Sequence, residues 1–176
     1  MQEAPSLADV IGPMLGADFL YADGLILEIT DEHPRGLEHR FWAYRTMWRV
    51  ERSDGVKFID SSDGSVTTVN GRVRERGPRH ASGLHLPERM LRPRYADIWG
   101  RSSDDWKLTG EVESSTDSPG LVGLGIARIG ESGIRGQVLV ERVSGRIVRM
   151  DRPGAVWELV DLNEESDGDP AGLFSI

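Results

Sequence analysis

Between residues 54 and 71 the chain carries three dipeptides that favour a tight reversal: Asp54-Gly55, Asp63-Gly64 and Asn70-Gly71. Each supplies the positive φ that a two-residue hairpin loop demands, at little steric cost. The runs between them, Met47 to Arg52, Val56 to Ser61 and Val66 to Val69, alternate apolar and polar residues. Reversals this closely spaced leave room only for strands, so this stretch must fold as an antiparallel meander.

The same pattern extends in both directions. Gly24 to Thr30 and Leu37 to Tyr44 read as strands around a turn that holds Pro34 and Gly36. In the second of these, Leu37, His39, Phe41 and Ala43 share one face, and Glu38, Arg40, Trp42 and Tyr44 the other. Downstream, Trp106 to Glu113, Leu121 to Ile129, Ile134 to Glu141, Ile147 to Asp151 and Val156 to Leu162 form a second meander. Ahead of both, Leu7, Val10, Ile11, Met14 and Leu15 mark one face of a helix, with Ser6 as its cap and Asp9 completing a capping box. Pro13 predicts that this helix kinks or ends near Gly12. No strand–helix–strand spacing occurs, which excludes a doubly wound parallel sheet. The expected fold is mainly β: a long, strongly curved antiparallel sheet of about 10–11 strands in a half barrel, with an N-terminal helix and a short helical crossover.

The crossover spans residues 72 to 101 and holds eight arginines against Glu75, Glu88 and Asp97. Its local charge is +5, while the rest of the chain sums to −13. Pro87 to Leu91 predicts a short helix with proline at its first position, and Tyr95 to Trp99 a second turn. Leu84, Leu86, Met90, Leu91, Ile98 and Trp99 require burial, which marks a packed connection and not a linker. Arg72, Arg74 and Arg76 alternate and so are expected on one strand face. With Arg79, Arg89, Arg92 and Arg94 they are candidates to bind an anionic partner or head group. The competing reading pairs them internally with Glu164, Glu165, Asp167 and Asp169 of the acidic C-terminal end. Residues 1–162 are expected to form a single β-rich domain, and residues 163–176 a loose acidic tail.

A chain of 176 residues suffices for one core without staples, and it has no cysteine. Disulfides, thiolate metal sites and thiol nucleophiles are thereby excluded. The net charge of −8 disfavours generic nucleic-acid binding. The N-terminal residues lack the charge and apolar run of a secretory signal, and no stretch is long and apolar enough for a transmembrane helix. The chain as given is expected to be soluble and cytoplasmic, or exported if a signal peptide has been removed.

Motifs for catalysis are lacking in the sequence. His33, His39, His80 and His85 show no metal-binding doublet, and surface positions are expected for them. Asp54, Asp60 and Asp63 are expected to serve turns, because Asp60 to Gly64 lacks the spacing of a calcium loop. Gly120, Gly123 and Gly125 match neither phosphate-binding nor dinucleotide-binding spacing. They predict a strand that bends or accepts a helix or ligand at close range. Glu111 and Glu113 share one strand face, which is compatible with a solvated pair. No catalytic residue, metal site or cofactor is expected.

Trp48-Arg-Val-Glu51, followed by Asp54-Gly55, Ile59-Asp60 and Asp63-Gly64, resembles the early meander of LolA-like lipoprotein-carrier domains. In that superfamily a strand of tryptophan, arginine, a variable residue and glutamate precedes a strand ending in an Asp-Gly turn. The run from Val138 to Arg149, with its Ser144-Gly145 turn, resembles the superfamily's later hairpin. The resemblance spans most of residues 19 to 162. It implies a half-open bent sheet around short helices, with an apolar cavity that holds acyl chains or a partner's apolar segment. Two departures stand out: the family is usually exported, and its characteristic cavity arginine aligns with no single residue here.

The expected function is non-catalytic binding of an apolar ligand, such as a lipid acyl chain, or of a partner's apolar segment. Met14, Leu27, Phe41, Trp48, Phe58, Met90, Trp99, Leu124 and Val138 are the candidate lining residues. The alternative is an interaction adaptor or immunity-like protein that uses its acidic surface or a sheet edge.

Overall fold

The computed structural model describes residues 5–80, 83, 85–114, 118–165 and 170–176. Its elements in chain order begin with α1 (Leu7–Gly16), then β1 (Tyr21–Thr30), β2 (Leu37–Tyr44), β3 (Met47–Arg52), β4 (Val56–Ser61), β5 (Gly64–Val69) and β6 (Arg72–Gly77). There follow α2 (Leu86–Leu91), a 3-10 turn at Pro93–Tyr95, β7 (Trp106–Ser114), β8 (Leu121–Arg128), β9 (Arg135–Glu141), β10 (Ile147–Arg152), β11 (Ala155–Asn163) and a second 3-10 turn at Pro170–Phe174.

The eleven strands form an antiparallel sheet in the order β6-β5-β4-β3-β2-β1-β11-β10-β9-β8-β7. The mainly-β class and the strand count match the sequence reading. Of the three Asx-Gly turns, Asn70-Gly71 follows the expected hairpin chemistry in full, whereas at Asp54-Gly55 and Asp63-Gly64 only the glycine takes positive φ. Asn70 and Gly71 both take positive φ, 49° and 75°, between β5 and β6, as a two-residue loop of this twist requires. Among the described residues no helix is long and apolar enough to cross a membrane.

Packing divides the chain into two compact units: Met1–Asp18 with Glu88–Glu158, and Phe19–Pro87 with Leu159–Ile176. In the first, Val10, Met14, Met90, Leu91, Ile98, Leu124, Ile126, Val138, Val140 and Ile147 are all fully buried. The capping box of α1 is present: the Ser6 hydroxyl accepts from the Asp9 N–H, and the Asp9 carboxylate accepts from the Ser6 N–H at 2.9 Å. Contrary to expectation, α1 runs through Pro13 to Gly16. The proline removes one backbone hydrogen bond, and the burial of Val10 and Met14 on either side offsets that loss. Gly145, at φ +71°, lies so close to α1 that a Cβ there would collide with the Pro13 carbonyl group.

The second predicted turn of the crossover is also displaced. The 3-10 turn occupies Pro93–Tyr95, and Trp99 instead bridges Lys107 of β7 while its indole N–H donates to the Pro93 carbonyl at 2.8 Å. Arg152 makes a two-pronged ion pair with Asp97, at 2.7 and 3.1 Å, and lies over the rings of Trp106 and Trp157. Burial works against the charged Asp97, yet the Arg152 hydrogen bonds hold its carboxyl below the usual range.

The second unit has a two-sided sheet. Cross-strand register places His39, Phe41 and Ala43 of β2 on one face with Trp48 and Val50 of β3, Phe58 and Asp60 of β4, Ser65 and Thr67 of β5, and Glu75 of β6. This is the front face. Ile59 and Val66 lie on the back, where Phe174 is buried against them and Trp42, Tyr44, Met47 and Leu173 pack around the cluster. The segment read as a loose tail therefore ends in a docked aromatic anchor. Asp167 and Asp169, assigned to the same tail, lie outside the described residues, as does Leu84 of the crossover.

Candidate functional site

The front face of β2 to β6 carries a half-open cavity of about 360 Å³. Its lining comes from His39, Val50, Phe58, Thr67 and Glu75 on the sheet, with His80, His85, Leu86 and Pro87 from the crossover. The period-two pattern of four consecutive hairpins aims these sheet residues at one side. Val50, Phe58, Leu86 and Pro87 make the apolar part; three imidazoles, a hydroxyl and a carboxylate supply polarity. A cavity of this size and mixed lining falls in the range of small-ligand sites.

Histidines dominate the polar part, against the expectation of surface positions. His39 and His85 are each only 7% exposed. His39 Nε2 lies 2.7 Å from the Glu28 carboxylate. Burial is the main influence on His39 and pushes its imidazole below the ordinary value, against the pull of Glu28. His85 packs against Trp48 and Phe58, with ring centroids at 6.4 and 6.0 Å. His80 stands edge-on to His85 at 6.2 Å.

Asp60 departs furthest from its predicted role. It was expected to serve a turn, but it is 4% exposed and points from β4 into the front face. Its Oδ1 accepts from the His80 backbone N–H at 3.2 Å. Its Oδ2 faces His80 Nδ1 at 3.8 Å and His85 Nε2 at 3.6 Å. Asp54 does serve its turn, accepting from the Val56 N–H and pairing with Arg52.

Of the nine candidate lining residues, Phe58 lines this cavity. Met14, Phe41, Trp48, Met90, Leu124 and Val138 are at most 1% exposed and form core. Leu27 and Trp99 are half-buried, Leu27 beside Gly36. Size and apolarity mark both core and cavity wall, so composition alone does not separate them.

The arginines divide. A bulge between Thr67 and Thr68 shifts the β5–β6 register, so Val69 faces Arg72 while Val66 faces Arg76. Val69 and Val66 point to opposite faces, and Arg72 and Arg76 therefore do not share one. The extra residue, Arg74, is the bulge itself; all three are exposed on the edge strand. Arg92 is buried, donates to Asp18 at 2.8 Å and lies 4.0 Å from Glu88. Arg94 also donates to Asp18, at 3.2 Å. Arg79 reaches the Thr46 carbonyl at 2.6 Å. Arg89 is half-buried and acts on the Asp97 carboxylate.

The glycines of β8 admit side chains from the neighbouring strands rather than a helix. Across Gly123, Gln137 of β9 donates to Glu113 of β7 at 3.0 Å, and across Gly125, Arg135 donates to Glu111 at 2.7 Å. Glu111 and Glu113 are thus an exposed cross-strand lattice and not an acid–base pair.

No protein-family model matches the chain. No curated protein matches it. Among solved structures, a crystal structure of MucB aligns with a TM-score of 0.49 at 12% identity, covering 96% of this chain and 62% of that one. The MucA/MucB complex of Pseudomonas aeruginosa aligns with the same score at 15% identity, covering 96% and 60%. A DUF1329 family protein from Desulfovibrio piger aligns with a TM-score of 0.41 at 11% identity, covering 98% and 100%. The chain spans about 60% of the length of the MucB chains it matches. These likenesses assign no function to this chain, and they do not support the expectation of a cytoplasmic protein.

Proposed function

We propose that this chain is a non-catalytic binding protein, and that the cavity in front of β2 to β6 receives an apolar group of its ligand. The observation that carries this reading is the cavity: about 360 Å³, apolar at Val50, Phe58, Leu86 and Pro87, and ringed by groups able to orient a guest. The LolA-like resemblance of the sequence points the same way.

The occupant favoured by the lining is an apolar side chain or short segment of a protein partner. Five of the nine lining residues are polar, and a peptide segment can hydrogen-bond to such groups where a hydrocarbon chain cannot. Beside the cavity, β6 is an edge strand, whose open backbone groups can pair with an extended segment. A lipid acyl chain is the second reading.

Filling the cavity tests the proposal. Thr67→Trp on β5 is expected to lower affinity for the apolar probe 1-anilinonaphthalene-8-sulfonate by about tenfold, or about 1.4 kcal/mol, with an unchanged circular dichroism spectrum. Equal probe affinity in the folded variant overturns it. Native mass spectrometry of the gently purified protein separates the occupants: a lipid mass lost in Thr67→Trp supports the acyl reading over the peptide one.

A further inference from the structure

We propose that Asp60, His80 and His85 form a binding site for a divalent late first-row metal ion, with zinc as its representative. The proposal is independent of what the cavity holds.

Each of the three residues offers one donor atom, and those atoms all lie within 4.8 Å of one another. Asp60 Oδ2 is 3.8 Å from His80 Nδ1 and 3.6 Å from His85 Nε2. Both separations are too long for hydrogen bonds. They lie close to the spacing of two ligands on one ion: donors about 2.0–2.1 Å from zinc at tetrahedral angles stand about 3.3 Å apart. Two imidazole nitrogens and a carboxylate oxygen are a donor set suited to zinc and its neighbours, and unsuited to calcium or magnesium.

The surroundings hold the donors in this arrangement. The His80 backbone N–H ties down Asp60 Oδ1 at 3.2 Å and leaves Oδ2 turned toward the rings. Trp48 and Phe58 flank the His85 ring and fix its plane. Asp60 sits at 4% exposure, where a carboxylate calls for a compensating positive charge. A metal ion supplies that charge and draws His80 and His85 of the crossover onto β4. His80 and His85 also line the cavity, so three protein donors leave the ion a coordination position facing it.

Zinc and cobalt titrations of the full chain test the site. Isothermal calorimetry with ZnCl₂ is expected to show one ion per chain, and CoCl₂ to give the visible bands of a low-symmetry nitrogen–oxygen site. His80→Ala is a safe variant, because that side chain is a third exposed. It should weaken zinc binding at least about tenfold, the smallest effect usual for metal-shell residues. It should also abolish any zinc-induced rise in melting temperature. Asp60→Asn and His85→Gln should weaken binding likewise, and His33→Ala should not. Absence of saturable one-to-one binding, or equal zinc affinity in wild type and His80→Ala, overturns the proposal.

Discussion

His39 carries an imidazole on a buried strand face, with Glu28 beside it and the charges of Arg52 and Asp54 near enough to be felt. Burial dominates, so the folded protein holds this histidine below the ordinary value of 6.5. The unfolded chain binds a proton near that value, and the folded chain only at lower pH. Folding therefore opposes protonation: stability is full above about pH 6.5 and declines as pH falls through the window between the two values. His39→Gln keeps hydrogen-bonding capacity and removes the titration. Urea unfolding midpoints taken from about pH 7.5 to about pH 5 should fall less steeply in the variant than in the wild type. Parallel curves would show that His39 does not contribute. Proximity to Glu28 across two strands is set by register, and no local motif marks it. Sequence reading accordingly placed this histidine on the right strand face without seeing that the face is buried.

Close packing at the level of elements has a sharp example in Gly145. The Ser144-Gly145 turn before β10 presses against the backbone of α1 at Pro13 and Met14. Gly145→Ala adds a steric collision to the strain of a positive φ. It should destabilise the protein by more than about 2 kcal/mol in chemical denaturation. Gly154, in the β10–β11 turn at φ +81°, has open space where a Cβ would lie. Gly154→Ala should cost only the backbone strain, about 1 kcal/mol. Equal losses in the two variants would mean that the helix contact contributes nothing. The turn itself is legible in the sequence, but the element it touches lies more than 130 residues upstream. The same distance effect explains the displaced expectations for β6. Alternating arginines predict a shared face only if the ladder is regular, and one bulge moves Arg72 and Arg76 apart.

For the molecule as a whole, the strand order is the decisive fact. Two meanders run outward from the β1–β11 neighbours to the edges β6 and β7; the first six residues read as crossover, Arg72–Gly77, form β6 itself, and residues 78–105 join the two edges. After β11 the chain continues, and Phe174 returns to bury itself on the back of β4 and β5. Phe174→Ala should therefore lower stability by about 3 kcal/mol, measured by urea unfolding followed by circular dichroism. A loss within about 0.5 kcal/mol would mean that the segment after residue 169 is not anchored there.

Period-two alternation and the turn residues determined the antiparallel class and nearly every strand, because those signals are local and act through backbone sterics. Ser6 and Asp9 likewise specified the start of α1 within four residues. Only the tertiary structure decided which apolar residues are core, which line a cavity, and which charges meet. Asp60 and His85 are separated by 25 positions and belong to a strand and a crossover; nothing in their spacing announces an encounter at 3.6 Å. That meeting depends on how the crossover folds over the front of the sheet. Such packing is governed by long-range burial, to which a local pattern is blind.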